Sequence, residues 1–370
     1  MQNGYRVVIV DNLCNSYVES VTRIKELSGA TDDDVIFCNI SVNDKRALCK
    51  VFAKYRITAV IHFAGLKSVS ESIKEPMRYY YNNVTATCTL VECMKRYSCH
   101  RIVFSSSATV YGNATDAYIK ETAAVGPLTP YGRSKLMCEQ IIQDACKGSP
   151  ELCAVILRYF NPVGCHESGL LGENPRNAPN NLMPCVTEAM HSKAPMRLFG
   201  TDYNTPDGTA IRDFIHVQDL AEGHLAALRR LEKVHVSFCK VYNMGNGVGS
   251  SVKEVITTME KVTGVKVPHK ICPRRDGDAE CVVADPTKAF TELNWRPQLD
   301  ITVMCSSAWN WKTLNPVGYA QVRQTMRVRK YVNRVLSIKK ENTSADSPSA
   351  TTPPPWSPLI SIFSKATIEN

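Results

Sequence analysis

Two side chains that can perform acid–base chemistry stand four residues apart in 131-YGRSK-135, where Tyr131 and Lys135 would share one face of a helix. A phenol with a pKa of about 10 is a poor base at neutral pH, and a nearby ammonium group lowers that pKa by favouring the phenolate. Ser107 adds a hydroxyl that can hold an alcohol substrate and orient its proton. Together these groups suit the reversible oxidation of a secondary alcohol.

A bare Y-x-x-x-K spacing is common by chance, so the interpretation depends on the elements around it. The apolar segment 101-RIVFSS-106 predicts a strand that runs into Ser107, and Tyr131 opens a predicted helix after Pro127 and Pro130. A hydroxyl at the end of a strand and a phenol at the start of a helix can converge.

Apolar, β-branched runs alternate with segments of helical spacing through the first 160 residues. The predicted strands are 6-RVVIV-10, 35-VIFCNI-40, 58-TAVIHFA-64, 101-RIVFSS-106 and 153-CAVILRYF-160, and the predicted helices are 17–28, 44–55, 76–97 and 131–147. Nearly continuous apolar strands are typical of a parallel sheet covered on both faces. We therefore predict an open α/β sheet with its chemistry at the carboxyl ends of the strands.

Beyond residue 160 the pattern changes to that of a smaller mixed lobe. Residues 161–184 are rich in Gly, Asn and Pro and predict a loop that lines a site. The predicted organisation is a nucleotide-binding domain over 1–160 and a second lobe over 161–320, with some segments returning to the sheet. The tail 321–370 is expected to hold an exposed basic helix over 321–340 and a disordered Ser-, Thr- and Pro-rich segment over 341–358.

The end of the first predicted strand indicates a dinucleotide site. Asp11, followed by Asn12, stands where such a sheet places the acid that accepts from the ribose hydroxyls, a placement that favours NAD over NADP. An Asp–Asn pair is also ordinary turn chemistry. The glycine fingerprint that should precede the acid is not in the sequence.

Charge and hydropathy argue against two classes of partner. More than half of the net charge of +9 is carried by residues 321–370, so the rest of the chain is nearly balanced and no nucleic acid partner is expected. The longest apolar runs, such as 57–66, fall short of the roughly 20 residues that cross a bilayer, so no membrane span is expected.

The 15 cysteines contain no C-x-x-C spacing and mostly stand within apolar runs. They are interpreted as small core residues of a protein in a reducing compartment, and a cytoplasmic location is expected. His62, His216 and His224 stand in apolar surroundings, and no His or Cys spacing fits zinc, so no metal is predicted.

Eight longer segments carry a resemblance to a known enzyme family. They are 11-DNLCNS-16, 61-IHFAGLKSV-69, 103-VFSSSATVYG-112, 130-PYGRSKLMCEQ-140, 158-RYFNPVG-164, 179-PNNLMP-184, 211-IRDFIHVQDLA-221 and 273-PRRDGD-278. Between about Tyr5 and Tyr319 the sequence resembles the UDP-glucose (UDP-galactose) 4-epimerases of the extended short-chain dehydrogenase/reductase superfamily. The resemblance implies an NAD-binding, Rossmann-type doubly wound parallel sheet, a smaller mixed α/β lobe that binds a UDP-sugar, and a homodimer.

The resemblance also implies roles by position. Ser107 and Tyr131 match the catalytic residues, and Lys135 matches the lysine that holds the nicotinamide ribose and tunes the tyrosine. The residues that match NAD contacts are Asp11, Asn12, Asn15, Ser16, Asn39, Ile40, Phe63, Ala64, Gly65, Lys67, Asn82, Tyr131, Lys135 and Phe160. Those that match the UDP-sugar site are Lys67, Ser107, Tyr131, Asn161, Asn181, Leu182, Phe199, Arg212, Arg275, Asp278 and Val282.

Several of these residues have a structural alternative. Asn161 and Asn181 also suit turns, Phe199 suits a core, and Arg212 beside Asp213 suits a surface ion pair.

In the reaction that the resemblance implies, Tyr131 removes the proton of the sugar 4-hydroxyl while C4 is oxidised with NAD. The 4-keto sugar then rotates about its link to UDP and is reduced on its opposite face. Val282 matches the family position at which a small residue admits 2-acetamido sugars, so the resemblance implies some activity on UDP-GlcNAc and UDP-GalNAc.

The chain departs from the family at its start. The family opens with a strand, a glycine-rich turn and a helix that cradle the cofactor pyrophosphate, and the given sequence begins at the strand after them. The resemblance therefore implies a sheet truncated at its first strand, with unpaired ladder groups and weak NAD binding. Asn39 replaces an Asp that accepts from the adenine amine, which also predicts weaker adenine binding.

Two rival functions remain open at this point. Another nucleotide-sugar enzyme, such as a 4,6-dehydratase, needs an acid and base pair after the active-site hydroxyl, where this chain has Ala108 and Thr109. An inactive epimerase-like binding or scaffold protein is favoured by the lack of the glycine loop.

Overall fold

Strands and helices account for more than half of the residues that the structure describes. The computed structural model describes residues 3–114, 116–176, 179–234, 236–275, 278–320 and 359–363. The strands are β1 (Arg6–Asp11), β2 (Val35–Asn39), β3 (Ile57–His62), β4 (Arg101–Ser107), β5 (Cys153–Tyr159), β6 (Asn161–Val163), β7 (Met196–Phe199), β8 (Ile211–His216), β9 (Phe238–Met244), β10 (Gly249–Ser251), β11 (His269–Cys272), β12 (Cys281–Val282) and β13 (Leu359–Phe363).

The helices connect these strands and cover the sheet. They are α1 (Val18–Ser28), α2 (Lys45–Lys54), α3 (Val69–Lys74), α4 (Pro76–Tyr79), α5 (Ala86–Arg96), α6 (Pro130–Lys147), α7 (Leu182–Ser192), α8 (Val217–Glu232), α9 (Val252–Thr263), α10 (Thr287–Glu292) and α11 (Ile301–Leu314). A π-helical turn spans Tyr80–Thr85, and short 3₁₀ turns span Ala108–Tyr111 and Gly318–Ala320. No helix among the described residues is both long and apolar enough to cross a bilayer.

The large sheet has seven strands in the order β2-β1-β13-β3-β4-β5-β9, and every neighbouring pair runs parallel. β5 is buried at every position, as a central strand covered on both faces must be. The predicted α/β fold with a parallel Rossmann-type sheet is confirmed.

Successive residues of β4 enter different cores, because side chains alternate across a strand. Ile102 and Phe104 pack in a cluster with residues of α2, α5 and α6, whereas Val103 packs in a cluster with residues of α8 on the other face. The sheet is therefore doubly wound, with an apolar core on each side.

The helix predicted over 76–97 is divided in the structure. α4 starts with Pro76, and the π-helical turn separates it from α5. The extra residue of a π turn changes which side chains face inward, and such turns often stand near functional sites. Here Asn83 points inward, accepts from the Leu66 amide at 2.6 Å and donates to the Leu66 carbonyl at 2.8 Å.

The strand β13 has no counterpart in the sequence analysis, which expected only a basic helix and a disordered segment in the tail 321–370. It lies between β1 and β3 and pairs with both. The expectation of unpaired ladder groups beside β1 is therefore wrong. The predicted basic helix over 321–340 and the disordered segment over 341–358 lie outside the described residues.

The second lobe is built on two small sheets. β8 pairs with β6, β10 and β12, and β7 pairs with β11. Helices α7, α9 and α11 share one apolar core, which includes Met183, Val255 and Met304. The register of β6 and β12 on β8 brings segments that are distant in sequence to the carboxyl edge of the large sheet.

Candidate active site

The structure brings Tyr131 and Ser107 together at the carboxyl end of β4. Ser107 is the last residue of that strand, and Tyr131 is the second residue of α6. The helix starts here because Thr129 accepts from the Gly132 amide at 3.2 Å and Pro130 fills the first helical position. Burial raises the pKa of the Tyr131 phenol to about 12, and a hydrogen bond with Ser107 lowers it.

Lys135 lies one turn further along α6 and is buried. Its ammonium donates to the Ser105 carbonyl at 2.7 Å and lies 5.0 Å from the centre of the Phe104 ring. The Ser105 carbonyl thus holds the lysine at the end of the strand that carries Ser107. That this cation acts on the phenol of Tyr131 stays a prediction.

A buried ion pair that the sequence analysis missed fixes α6 against the sheet. Glu139 accepts from Arg158 through two bonds, 3.0 Å from Nε and 2.7 Å from Nη2, and also accepts from the Ser106 hydroxyl. Arg158 comes from β5 and Ser106 from β4. A buried charge pair of this kind needs full hydrogen bonding, and here it joins three elements beside the phenol.

A cleft opens at the carboxyl ends of β1, β2 and β3. Its lining residues are Val10, Asp11, Asn12, Cys14, Ile40, Ser41, Val42, Asn43, Ala64, Gly65, Leu66, Asn82 and Ala86. The Asp11 carboxylate accepts from the Leu13 amide at 2.6 Å and from the Ser16 hydroxyl at 2.8 Å. Asp11 and Asn39 are paired neighbours at the ends of β1 and β2. Six residues predicted to contact NAD line this one cleft, namely Asp11, Asn12, Ile40, Ala64, Gly65 and Asn82.

The polar groups in and around the cleft are compatible with a bound dinucleotide. A Cβ on Gly65 would lie 3.4 Å from Lys135 Nζ and 3.3 Å from Asn83 Oδ1, so only glycine lets the backbone approach these two side chains without crowding them. Asn43 Oδ1 is buried and has no hydrogen-bond partner among the described residues, so it can accept from a ligand. The sequence analysis assigned neither Asn43 nor Asn83, because asparagines in loops and helices carry no distinctive spacing.

Other predicted cofactor residues are not among those that line the cleft. Phe63 follows β3, and its ring centre lies 4.8 Å from that of His224. Lys67 and Phe160 are buried. Asn15 accepts from the Arg176 amide at 3.1 Å, so a loop of the second lobe closes against the segment after β1.

The residues predicted for the UDP-sugar include an arginine pair that shares one carboxylate. Arg212 Nη2 lies 2.5 Å from Asp278 Oδ1, and Arg275 Nη2 lies 2.9 Å from Asp278 Oδ2. The Arg275 guanidinium also lies 5.1 Å from the centre of the Phe199 ring. Tyr203, which the sequence analysis did not assign, has a buried hydroxyl with no hydrogen-bond partner among the described residues.

Arg212 does not form the ion pair with Asp213 that was its structural alternative. Adjacent residues of a strand point to opposite faces. Asp213 instead accepts from the amides of Asn246 at 2.7 Å, Gly247 at 2.9 Å and Ala284 at 3.1 Å. Burial raises the pKa of the Asp213 carboxyl to about 6, although these three donors lower it.

Val282, Asn161 and Asn181 stand at strand and helix ends of the second lobe. Val282 of β12 pairs with Arg212 of β8, and it packs beside Phe160 and Tyr111. Asn161 of β6 pairs with Phe214 of β8. Asn181 directly precedes α7, which begins at Leu182. The pairing with β8 thus places Val282 beside Arg212 and Asn161 beside Phe214, two residues further along the same strand.

The three core histidines are neutral. Burial lowers the pKa of His62 to about 3 and those of His216 and His224 to about 4. Among the described residues, no group of three or more His, Cys, Asp or Glu side chains is placed to hold a metal ion. All 15 cysteines are free thiols.

Comparisons with known proteins agree with the geometry. A family model described as GDP-mannose 4,6 dehydratase matches residues 1–308. UDP-glucose 4-epimerase 2 of Arabidopsis thaliana is 47% identical over 320 residues, which are 86% of this chain and 91% of that protein. UDP-glucose 4-epimerase of Dictyostelium discoideum is 46% identical over 321 residues, 86% of this chain and 92% of that protein.

A solved structure extends the likeness to three dimensions. The crystal structure of UDP-glucose 4-epimerase from Bifidobacterium longum in complex with NAD+ and UDP superposes with a TM-score of 0.81 at 44% identity, covering 85% of this chain and 93% of that one. The resemblance in the sequence is thereby confirmed. The chain belongs to the UDP-glucose 4-epimerase family.

Proposed function

We propose that the chain interconverts UDP-galactose and UDP-glucose by reversible oxidation at C4 of the sugar with NAD. The observation that carries the proposal is the hydrogen-bonded Ser107 and Tyr131 at the end of β4, beside the buried Lys135 and next to the cleft after β1. The relative from Bifidobacterium longum, which binds NAD+ and UDP, supports the same ligands for this chain.

Tyr131 Oη takes the proton of the 4-hydroxyl and returns it after the sugar has turned. With a pKa of about 12, the Tyr131 phenol keeps its proton at neutral pH. A positively charged group bound beside the phenol lowers this pKa, because it stabilises the phenolate that acts as the base. Ser107 Oγ holds the same oxygen and orients the proton. NAD, when bound, supplies the acceptor and donor of the hydride. Lys135, which donates to the Ser105 carbonyl at the end of β4, would hold the nicotinamide ribose.

The nucleotide half of the substrate needs a cationic site that holds it while the sugar turns. Arg212 and Arg275 share the single carboxylate of Asp278, so their pair keeps a net positive charge that suits a diphosphate. We assign residues 1–160 to NAD binding and 161–320 to UDP-sugar binding, and we retain the two sets of site residues given above as proposals.

The sugar pocket is proposed to admit 2-acetamido sugars as well. Val282 lies beside Arg212 in the β8 sheet, and its isopropyl group occupies less volume than the side chain of a larger residue would. UDP-GlcNAc and UDP-GalNAc are the additional substrates that a small residue at this position favours.

A 4,6-dehydratase is the second candidate, since the matching family model bears that name. Removing water across C5 and C6 needs an acid and a base beside the active hydroxyl. The residues after Ser107 are Ala108 and Thr109, and Thr109 donates to Ser107 Oγ through its amide at 3.2 Å and its hydroxyl at 3.0 Å. Neither residue supplies a carboxyl group, which favours epimerisation.

A homodimer is proposed from an exposed apolar surface next to α6. Ile73, Met77 and Tyr81 are 62%, 74% and 69% exposed, and Met137 of α6 is 42% exposed. Large exposed apolar side chains on adjoining helices are typical of a subunit interface. Sedimentation equilibrium should give a dimer, and Met77→Glu with Tyr81→Glu should give a monomer.

The free thiols support a cytoplasmic location. All 15 cysteines are unpaired and many are buried, as expected in a reducing compartment. Fractionation of cells that express the chain should recover it with cytosolic markers.

One assay tests the proposed reaction. The chain is incubated with UDP-galactose and NAD, and the products are separated by chromatography. Formation of UDP-glucose is expected, without a 4-keto-6-deoxy sugar. Recovery of unchanged UDP-galactose contradicts the epimerase function, and a keto-deoxy product indicates the dehydratase.

A further inference from the structure

The strand β13 joins the two strands whose ends form the cofactor cleft. β1 ends at Asp11, and β3 ends at His62 just before Ala64 and Gly65. Within the described residues, β1 pairs with β2 and β13, and β3 pairs with β13 and β4. Among the residues that the structure describes, β13 is therefore the strand that connects the Asp11 side of the cleft to the Gly65 side.

The side chains of Leu359 and Ile360 suit a strand inside the sheet, because they are apolar and buried on opposite faces. Leu359 and Ile360 are 7% and 3% exposed. Leu359 packs in the core cluster that contains Val8, and Ile360 packs in the cluster on the opposite face. A strand inside a parallel sheet requires such apolar residues on both sides.

Side-chain hydrogen bonds also tie β13 to each neighbour. The fully buried Ser361 donates through its hydroxyl to the Val8 carbonyl at 3.2 Å. On the other side, Thr58 donates to the Leu359 carbonyl at 3.0 Å. Five consecutive residues pair with β1, so the contact includes the whole strand.

Leu359 is separated from Ala320 by 38 residues in the sequence, and this separation is little obstacle to the pairing. The entropic cost of closing a loop grows only with the logarithm of its length. The ladder bonds on two sides and the burial of two apolar side chains act against that cost.

We propose that Leu359–Phe363 is a positioning strand for the cofactor cleft: by filling the slot between β1 and β3 it holds Asp11 in register with Gly65 and so sets the affinity for the dinucleotide. The identity of the ligand rests on the proposed function, whereas the pairing does not. A different occupant of the slot, whether another segment of the protein or a strand of a partner, would leave residues 359–363 unpaired.

Hydrogen exchange on the unmodified full chain tests the pairing without any ligand. Peptides that cover 359–363 should exchange at least 100-fold more slowly than a free peptide of the same sequence, as should those that cover β1. Exchange of 359–363 at the free-peptide rate overturns the proposal, whatever the cofactor.

A pair of substitutions at Ser361 tests the effect on the cleft. Ser361→Pro removes a backbone donor inside the sheet, whereas the matched Ser361→Ala keeps it and loses only the hydroxyl. With Ser361→Pro, β1 should exchange at least 10-fold faster and NAD should bind at least 10-fold more weakly, while β4 and β5 exchange and UDP binds as in the unmodified chain. Ser361→Ala should stay within threefold in every measurement.

Unchanged exchange of β1 in Ser361→Pro overturns the proposal. So does equal acceleration of β1, β4 and β5 in a folded variant, since that pattern indicates general destabilisation. If the Ser361→Pro variant does not fold, hydrogen exchange at residues 359–363 of the unmodified chain alone decides whether the strand pairs as proposed. Slow exchange at 359–363 in a chain that binds no NAD counts against the proposed cofactor, and exchange of β1 in Ser361→Pro then tests the positioning.

Discussion

Arg212 and Asp278, which are 66 residues apart, form an ion pair whose closest atoms are 2.5 Å apart. The second oxygen of Asp278 is bonded to Arg275 at 2.9 Å, so one carboxylate holds two guanidinium groups. A net positive charge remains at the proposed diphosphate site, and both arginines are oriented before a ligand arrives. Orientation of this kind reduces the entropy that a ligand must lose on binding.

Arg212→Lys tests whether the planar guanidinium matters beyond its charge. Lysine keeps the charge but cannot bind the carboxylate and a phosphate with a rigid fork. We expect the affinity for UDP to fall about 10-fold, roughly 1.4 kcal/mol, with a smaller change in kcat. Calorimetry with UDP and steady-state kinetics measure both. Arg296→Lys, in which the replaced guanidinium stacks on Phe290, is the control and should bind UDP normally.

Tyr131→Phe tests the proposed base. The variant keeps the buried ring but loses the oxygen that moves the proton, so the epimerisation rate should fall about 10²–10⁴-fold while NAD binding is retained. The matched control is Tyr79→Phe, because Tyr79 is buried and packs edge to face against Tyr131 with ring centres 6.4 Å apart. A Tyr131→Phe enzyme with the unmodified rate contradicts the mechanism.

Ser107→Ala should shift the pH dependence of the reaction. The hydrogen bond from Ser107 lowers the pKa of Tyr131, so removing it raises that pKa. Because the base acts as a phenolate, the rising limb of the kcat profile should move to higher pH. At neutral pH the rate should fall about 10- to 100-fold, as expected when a hydrogen bond to a charged group is lost. A limb that moves to lower pH would assign Ser107 a different role.

The sequence predicted the parts of the fold that local pattern determines. Each strand of the large sheet from β1 to β5 was identified by its apolar β-branched residues, and α6 was placed to within one residue because Pro130 marks its start. Sheet geometry predicted a site at the carboxyl ends of the strands with Asp11 in it, whereas the other residues of the cofactor cleft were grouped in advance by the family resemblance.

Tertiary pairing set the limit of that prediction. The run 359-LISIF-363 is short and follows a Pro-rich segment, and nothing local indicates that it lies between β1 and β3. Likewise, Arg212 has an acid beside it in sequence but pairs with Asp278, because strand geometry turns Asp213 to the other face. In both cases the pairing depends on residues that are close in space but distant in sequence.

Val282→Tyr tests the proposed breadth of the sugar pocket. A phenol ring in place of an isopropyl group should exclude the acetamido group and leave the smaller 2-hydroxyl accommodated. We expect kcat/KM for UDP-GalNAc, relative to UDP-galactose, to fall about 10- to 200-fold. Val282→Ile adds one methylene group and should change the ratio little. An unchanged ratio in the tyrosine variant would show that Val282 does not bound this pocket.

Asp213 should make the chain less stable as the pH rises from about 4 to 6. Its pKa is about 6 when folded against an ordinary value of 3.8, so between these values the folded state binds more protons than the unfolded state. The free energy of unfolding therefore loses a contribution on the order of 3 kcal/mol across this window, and the contribution stays constant above it. Asp213→Asn cannot titrate. Urea unfolding of both proteins at several pH values should thus give a difference, unmodified minus variant, that falls between pH 4 and 6; a difference that rises would mean that the three amide donors outweigh burial.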